Sequence, residues 1–424
     1  MQPILRRIVL LLPLLALGCQ RGPDAVASRP AGEYVAHDWV LPAAPGAAQP
    51  DLVATVDGRL LLSWIDSSVG RRKALQFAQF SDGHWQSAPR TIVVGDALIA
   101  NAADTPHLAA TADGALWVQW LQKTAAGEGN DLMLSRSADG GFNWSPPVRI
   151  NTASDGAEHG FASLWPATRD RIGMAWLDGA APMPMAMDEK TQHAPPRTRS
   201  TALRAAVFDM QLRGGDATTI DERACDCCQT GVVTAAHGPL LVYRDRNTDP
   251  QGQDIRDIAI VRAEGAHWSA PSSVHADGWK MSACPVNGPA IDAAEANVSV
   301  AWYTAAGDMP AVRIAHSGDG GARFDAPVDV ERGAAVQGRV AVALDERQAW
   351  ILWVSGAGAA QSLWLARYTP DLSRQLQRVR LGPLLARGPG AGYPQLVAHD
   401  GAAYVVWSDA AGGTAQLHGA VVAR

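Results

Sequence analysis

Short apolar runs of four to eight residues, rich in Val, Leu and Trp, recur along the chain between polar turns. Residues 106–150 show the unit most fully. Pro106-His107-Leu108-Ala109-Ala110 leads to Asp113-Gly114, then to Leu116-Trp117-Val118-Gln119-Trp120. Leu132-Met133-Leu134-Ser135-Arg136-Ser137 follows, then Asp139-Gly140-Gly141, Trp144 and Pro146-Pro147-Val148-Arg149-Ile150. Asp-Gly steps between apolar runs are strong hairpin signals, because glycine supplies the positive φ of a tight turn. The pattern predicts four short antiparallel strands.

The same pattern, progressively degraded, is repeated through the chain. The second predicted strand of each unit ends in an aromatic: Trp64, Trp120, Trp176, Tyr243, Trp302, Trp353 and Trp407, spaced by 56, 56, 67, 59, 51 and 54 residues. That period suits one four-stranded blade with its connections. A single sheet cannot bury both faces, whereas sheets packed radially can, so the expected fold is an all-β propeller of seven four-stranded blades. The last unit, residues 393–424, holds only about three strands, and an unattached strand-like segment, Glu33–Leu41, precedes the first. The expectation is therefore a ring closed by pairing the N-terminal strand with the last blade. The seven aromatics are predicted to be plugs between blades and to report fold, not chemistry.

Composition agrees with this reading: of 424 residues, 47% are hydrophobic, with 41 Gly and 15 Trp, as suits an all-β chain of many turns. The net charge of −6 and the lack of a basic stripe argue against a nucleic-acid partner. Residues 1–19 form a separate segment, with Arg6-Arg7 before an apolar run that ends in Ala16-Leu17-Gly18-Cys19. This predicts a bacterial lipoprotein signal with lipidation at Cys19, or a simple secretory peptide, since the order Ala16-Leu17 departs from the usual lipobox. The run is too short to span a bilayer. Residues 20–32 are expected to be a flexible tether and residues 33–424 the propeller. Gln20 after Cys19 resembles other lipoproteins addressed to the outer membrane, facing the periplasm. A monomer held to the membrane only by its lipid is the expectation.

Ser137, Asp139, Gly141 and Trp144 match the Asp-box, Ser-x-Asp-x-Gly-x-x-Trp, and Ser317, Asp319, Gly321 and Phe324 match it with Phe last. Ser81–Trp85 and Glu264–Trp268 are shortened versions. On these residues the chain resembles the sialidase-like, Asp-box (bacterial neuraminidase repeat) propellers across almost all of its mature length. The resemblance implies boxes on the hairpins between third and fourth strands, away from the ligand-binding funnel, and a six-bladed ring as the alternative to seven. It would imply sialidase chemistry only with an Arg-Ile-Pro motif and a triad of arginines, and neither is identifiable.

Departures from a repeat are where function is expected. An insertion after Trp176 carries Met183, Met185, Met187 and His193, either soft ligands for Cu(I) or a Pro-rich loop. Cys225, Cys227 and Cys228 lie at the start of one innermost strand, and Cys284, with Asn287, lies at the start of the next. In an oxidising envelope at least one disulfide is expected, Cys284 bridged to Cys227 or Cys228, with the other two cysteines free, one of them a reactive thiol in a further reading, or bridged to each other. A copper or zinc site is the alternative, weakened by the absence of a second Cys pair. Tyr243-Arg244-Asp245-Arg246 and Arg256-Asp257 form the third departure. Arg244, Arg246 and Arg256, with Asn287 and Tyr243, are candidate ligand-binding residues for an anion, and Asp245 and Asp257 are candidate catalytic carboxylates. A paired, structural Arg–Asp network is the competing reading. His107, Glu158, His159, Arg339 and Tyr393 are expected along the funnel rim. Together these features predict an envelope protein that recognises or processes a small-molecule or glycan ligand, anionic in the first reading, in its central funnel, where the Arg and Asp candidates are expected to lie. A metal-handling protein and a protein-binding scaffold are the alternatives.

Overall fold

The computed structural model describes residues 32–67, 72–124, 129–151, 157–179, 201–265, 267–356, 361–385, 392–411 and 413–424. The predicted signal peptide, Cys19, nearly all of the tether and the Met-bearing insertion lie outside the described residues. The propeller itself occupies Tyr34–Arg424. Among the described residues, no helix is long and apolar enough to cross a membrane.

Seven antiparallel blades follow one another along the chain, with a two-stranded ribbon, Asn247–Thr248 with Asp254–Ile255, inserted in the fourth. The innermost strands are Ala47–Ala54, His107–Ala110, His159–Pro166, Gly231–Ala235, Ala290–Ala294, Val336–Asp345 and Gln395–His399. Each is followed by a second strand that packs against both neighbouring blades. Such a strand is buried on both faces and reads as a continuous apolar run instead of alternating. Leu60–Asp66 and Gln348–Ser355 are buried at every position.

Seven hydrophobic clusters hold the ring, and each joins two consecutive blades, the last joining the seventh to the first. Each predicted aromatic plug falls in a different cluster: Trp64, Trp120, Trp176, Tyr243, Trp302, Trp353 and Trp407. The ring closes as expected. Val35–Asp38 pairs antiparallel with Thr414–Ala423, Val35 opposite Ala423 and Asp38 opposite Ala420, and so becomes the outermost strand of the seventh blade. Tyr34 and Trp39 anchor the two ends of this strand. Tyr34 packs edge-on to Trp350 with Arg367 over its ring at 3.9 Å, and Trp39 stacks on Trp85 of the first blade.

The Asp-boxes lie on the hairpins between third and fourth strands, in the second and fifth blades. Asp139 Oδ1 accepts hydrogen bonds from Ser137 Oγ and from the amides of Phe142 and Asn143 at 2.8, 3.1 and 2.9 Å. Asp319 Oδ1 repeats the pattern with Ser317, Ala322 and Arg323 at 2.8, 3.0 and 2.9 Å. Gly141 has φ +87°, and a Cβ there would meet the Phe77 ring of the preceding blade at 2.1 Å, so two independent constraints require glycine. Trp144 packs on Phe77, and Phe324 against the cluster between the fourth and fifth blades. The boxes are therefore staples between blades.

Two predictions follow from this geometry. Deleting residues 34–41 from the mature protein exposes the edge of Thr414–Ala423 and removes two aromatic anchors. The melting temperature should fall by several degrees, and Trp39→Ala alone should cost about 3 kcal/mol in denaturant unfolding. An unchanged melting curve in both would contradict ring closure by this strand. The hydrogen bonds that converge on Asp139 and Asp319 hold both carboxyls down at about 2. Their contribution to stability is thus present above the unfolded-state value near 4 and is lost as pH falls through about 2. The double variant Asp139→Ala/Asp319→Ala should flatten the acid side of the stability curve between about pH 4 and 2, as urea midpoints would read directly.

Candidate functional site

The connections that lead into innermost strands and those between second and third strands share one face of an antiparallel propeller. The cysteine loops and the Tyr243–Asp257 segment therefore lie together on it, at the third, fourth and fifth blades. Isolated bridges pair Ala224 with Asp245 and Ile255 with Lys280, and the Cys225 amide donates to the Arg244 carbonyl at 2.9 Å. The departures from the repeat form one connected structure.

Cys227 and Cys284 are joined in a disulfide, with Cα atoms 6.1 Å apart across 57 residues, which is one of the two pairings expected. Cys225 and Cys228 are free and almost completely buried. The Cys225 Sγ lies 3.2 Å from the Cys228 Sγ and 3.8 Å from the Cys227 Sγ. The hydrogen bond shared with Cys228 and the positive charges of Arg256 and Arg244 bring the Cys225 thiol down to about 7, against the cost of burial. Burial, with the hydrogen bond and charge of Cys225, pushes the Cys228 thiol well up.

The expected anion clamp is not formed. Arg244, 2% exposed, directs Nε and Nη2 at the Asn287 carbonyl at 3.0 and 2.8 Å and Nη2 also at the Tyr303 carbonyl at 2.8 Å. Its Nη1 donates to the Arg256 carbonyl, and its guanidinium lies over Trp279 at 4.9 Å. Arg246 Nε donates to Asp254 Oδ2 at 2.9 Å. Arg256 Nε donates to the Met281 carbonyl at 3.3 Å, with Nη2 3.6 Å from Asp254. Arg244 and Arg256 knit loops together, because loop backbone buried here needs donors for its carbonyls, and Arg246 ties the inserted ribbon through the Asp254 carboxylate. Asn287 does similar work. Its Oδ1 accepts from the Arg339 amide of the next blade at 2.8 Å, and its Nδ2 donates to the Pro285 and Gln337 carbonyls.

The carboxylates are also placed differently from expectation. The axial channel, about 250 Å³, is lined by residues of all seven innermost strands or their approaches, among them Asp51, His107, Ser163, Gln229, Thr230 and Tyr393. His107 and Tyr393 thus line it as predicted, while Glu158 and His159 line a separate pocket of about 310 Å³. Arg339 is buried under the face, its guanidinium 5.3 Å from the Tyr393 ring. Asp245 and Asp257 do not reach the channel. They open into a cleft of about 690 Å³ between the outer strands of the third and fourth blades, Thr218–Ala224 and Ser272–His275. Its walls alternate Ile220, Ile255, Ile258 and Pro271 with Asp221, Arg223, Ser272 and Ser273.

In this cleft burial raises the Asp245 carboxyl to about 6, helped by the charge of Asp221 and a hydrogen bond shared with it. Tyr243, the plug of its blade, donates its hydroxyl to Asp221 Oδ2 at 2.6 Å. Asp257 is raised by burial, although the amides of Trp279 and Gly278 donate to it at 3.0 and 2.9 Å. Asp221 escaped the sequence reading because it belongs to an outer strand of the preceding unit. A carboxylate four residues before Cys225 was its only signal.

The sulfurs of Cys225, Cys227 and Cys228 lie within 4.8 Å of one another, close enough to share a metal ion. Cys227 is already bonded to Cys284, and two buried guanidiniums bear on the cluster. That environment suits an anion such as a thiolate and opposes a metal cation, and one of the three sulfurs is committed to a disulfide, so the copper or zinc alternative fits these residues poorly.

No protein-family model matches the chain, and no curated protein matches it. Among solved structures it is similar to an ulvan lyase, with 14% identity, 79% of each chain covered and a TM-score of 0.43. It is similar to an α-L-arabinanase from Penicillium chrysogenum, with 12% identity over 91% of this chain and 95% of that one and a TM-score of 0.45. A Trypanosoma rangeli sialidase shares 12% identity over 79% of this chain and 56% of that one, with a TM-score of 0.44. Sialidases thus stand beside lyases and arabinanases, and likenesses of this size assign no activity.

The raised Asp245 carboxyl makes a testable contribution to stability. An acid held above its unfolded value near 4 favours the folded state below that pH, and this contribution is lost as pH rises through about 6. Asp245→Asn should therefore gain stability relative to the parent as the pH is taken from 4 to 7.5. A difference in urea midpoint that does not change with pH would contradict the placement of Asp245.

Proposed function

We propose that the protein binds a neutral or amino-bearing glycan in the cleft between the third and fourth blades and processes it by acid–base chemistry. The observation that carries this reading is the Asp245–Asp221 pair, which holds a proton at about pH 6 inside a cleft with apolar and hydroxyl-bearing walls. Asp245 is the proton donor to a leaving oxygen, and Asp221, oriented by Tyr243, is its charged neighbour. Asp257 supplies a second carboxylate at the cleft wall. Pairs of carboxyls in unlike environments are how glycosyl transfer to water is run. Asp221, Glu222, Asp245 and Asp257 line the cleft against Arg223 and Arg246, the latter paired with Asp254, while Arg244 is enclosed elsewhere. That balance favours a neutral or cationic sugar over the anionic one read from the sequence.

The N-terminal segment supports an envelope address, with the propeller tethered through a lipid on Cys19. The Asp-boxes, which staple blades on the opposite face, support descent from sialidase-like propellers without supplying chemistry.

The reading is tested by titrating a panel of neutral and amino-bearing oligosaccharides and following their cleavage. General acid catalysis contributes about 10²- to 10⁴-fold, so Asp245→Asn should lose at least 100-fold in turnover while binding changes only a few-fold. The activity should fall as pH rises through about 6. A ligand whose binding and turnover are indifferent to both Asp245→Asn and Asp221→Asn would overturn the assignment.

A further inference from the structure

We propose that Cys225, Cys227, Cys228 and Cys284 form a thiol–disulfide relay, in which the buried Cys225/Cys228 dithiol exchanges two electrons with the Cys227–Cys284 disulfide. This reading is independent of the glycan cleft.

The relay rests on the arrangement of four sulfurs. Cys225 and Cys228 are separated by two residues, with sulfurs 3.2 Å apart, and are buried to within 1–2% of full enclosure. Cys225 is also 3.8 Å from the sulfur of Cys227, so one thiol touches both its partner thiol and a disulfide. Cys284 is exposed, and the hollow of about 450 Å³ that contains it is walled by Trp279, Met281, Pro285, Tyr303 and Pro310. Asn287, Asp308 and Gln337 complete the wall, and a hollow of mixed aromatic and polar lining around an exposed disulfide cysteine fits a cysteine-bearing peptide, whose backbone and flanking side chains would settle on those walls. The Arg256 guanidinium supplies the last element. Its Nη1 is buried without a hydrogen-bond partner, and its charge acts on Cys225. Asp254 already lies beside one nitrogen of this guanidinium, and its buried positive charge also favours a thiolate at Cys225.

The chemistry balances within the chain. The Cys225 thiolate attacks the Cys227 sulfur; the Cys225–Cys227 bond forms, the Cys227–Cys284 bond breaks, and Cys284 leaves as a thiolate that takes a proton from solvent. Cys228, giving up its proton, then attacks Cys225; the Cys225–Cys228 bond forms and Cys227 leaves with the electron pair. The buried dithiol has been oxidised and the outer disulfide reduced. Cys284 and Cys227 can then reduce a disulfide on the peptide in the hollow. The reverse sequence oxidises a peptide dithiol and returns the buried pair to thiols.

The test uses the mature protein as isolated, without added reductant, incubated with excess N-ethylmaleimide, quenched in acid at intervals and mapped by peptide mass spectrometry. Trapping at the exposed end draws the exchange forward. The relay predicts maleimide on Cys284 and Cys227 together with accumulation of a Cys225–Cys228 bridge, at a rate that rises through about pH 7. Cys225→Ser should slow labelling of Cys284 at least tenfold. If that variant does not fold, the labelling pattern of the parent protein decides alone. A Cys227–Cys284 bridge that persists while maleimide adds to Cys225 or Cys228, or to none of the four, would overturn the relay. So would isolation of the protein with all four thiols free on one bound metal ion.

Discussion

Each blade of this propeller is too thin to hide its own apolar surface. The second strands are buried on both faces only because a neighbour covers each side, and the seven shared clusters must all exist for every blade to be covered twice. Closure is therefore the constraint on which the rest depends. It is met at one seam, where Val35–Asp38 completes the last blade and Trp39 reaches across to Trp85 of the first. Side chains reinforce the same logic between blades. Asp51 accepts from the Leu108 amide at 2.7 Å, Asp104 from Phe161 at 2.8 Å and Asp292 from Leu344 at 2.7 Å, each carboxylate fixing the next innermost strand.

Once the ring is fixed, its two faces have different tasks. The hairpins between third and fourth strands carry the Asp-boxes, whose hydrogen bonds are local and whose glycines lie against the preceding blade. The opposite face has the longer connections, and in the third to fifth blades these connections are buried under one another. Buried loop backbone leaves carbonyls that must be satisfied, and Arg244 satisfies those of Asn287, Arg256 and Tyr303 with one guanidinium. A cation enclosed for that structural reason sets the electrostatics of its surroundings. It lowers the Cys225 thiol together with Arg256, while acidic Asp221 raises the neighbouring Asp245.

Most of the fold was legible in the sequence because periodicity is a property of the backbone's needs. Seven aromatics at a blade-length period could only be plugs, and each proved to sit in its own cluster. The incomplete last unit and the orphan strand at residues 33–41 located the seam. The pairing of Cys284 with one of two adjacent cysteines followed from the shared face of two strand starts. Arg244 and Arg256 were misread for a physical reason: they donate to main-chain carbonyls of other loops, which have no sequence signature, whereas Arg246 pairs with the Asp254 carboxylate as the competing Arg–Asp reading had it. Asp245 and Asp257 were read as funnel residues, but the inserted ribbon at Asn247–Ile255 turns the segment outward, to the outer strands of two blades. The spacing of Cys225 and Cys228 was hidden by Cys227 between them.

The central functional claim is that the cleft between the third and fourth blades keeps a carboxyl proton near neutral pH. Infrared difference spectroscopy of the carboxyl stretch, taken as parent minus Asp245→Asn across pH 4 to 8, measures it directly. Asp104 and Asp292, which burial also raises, are common to both proteins and cancel. A single protonated carboxyl is expected in the difference spectrum, disappearing with a midpoint at about pH 6. A difference spectrum in which that carboxyl is already ionised at pH 4.5 would contradict it.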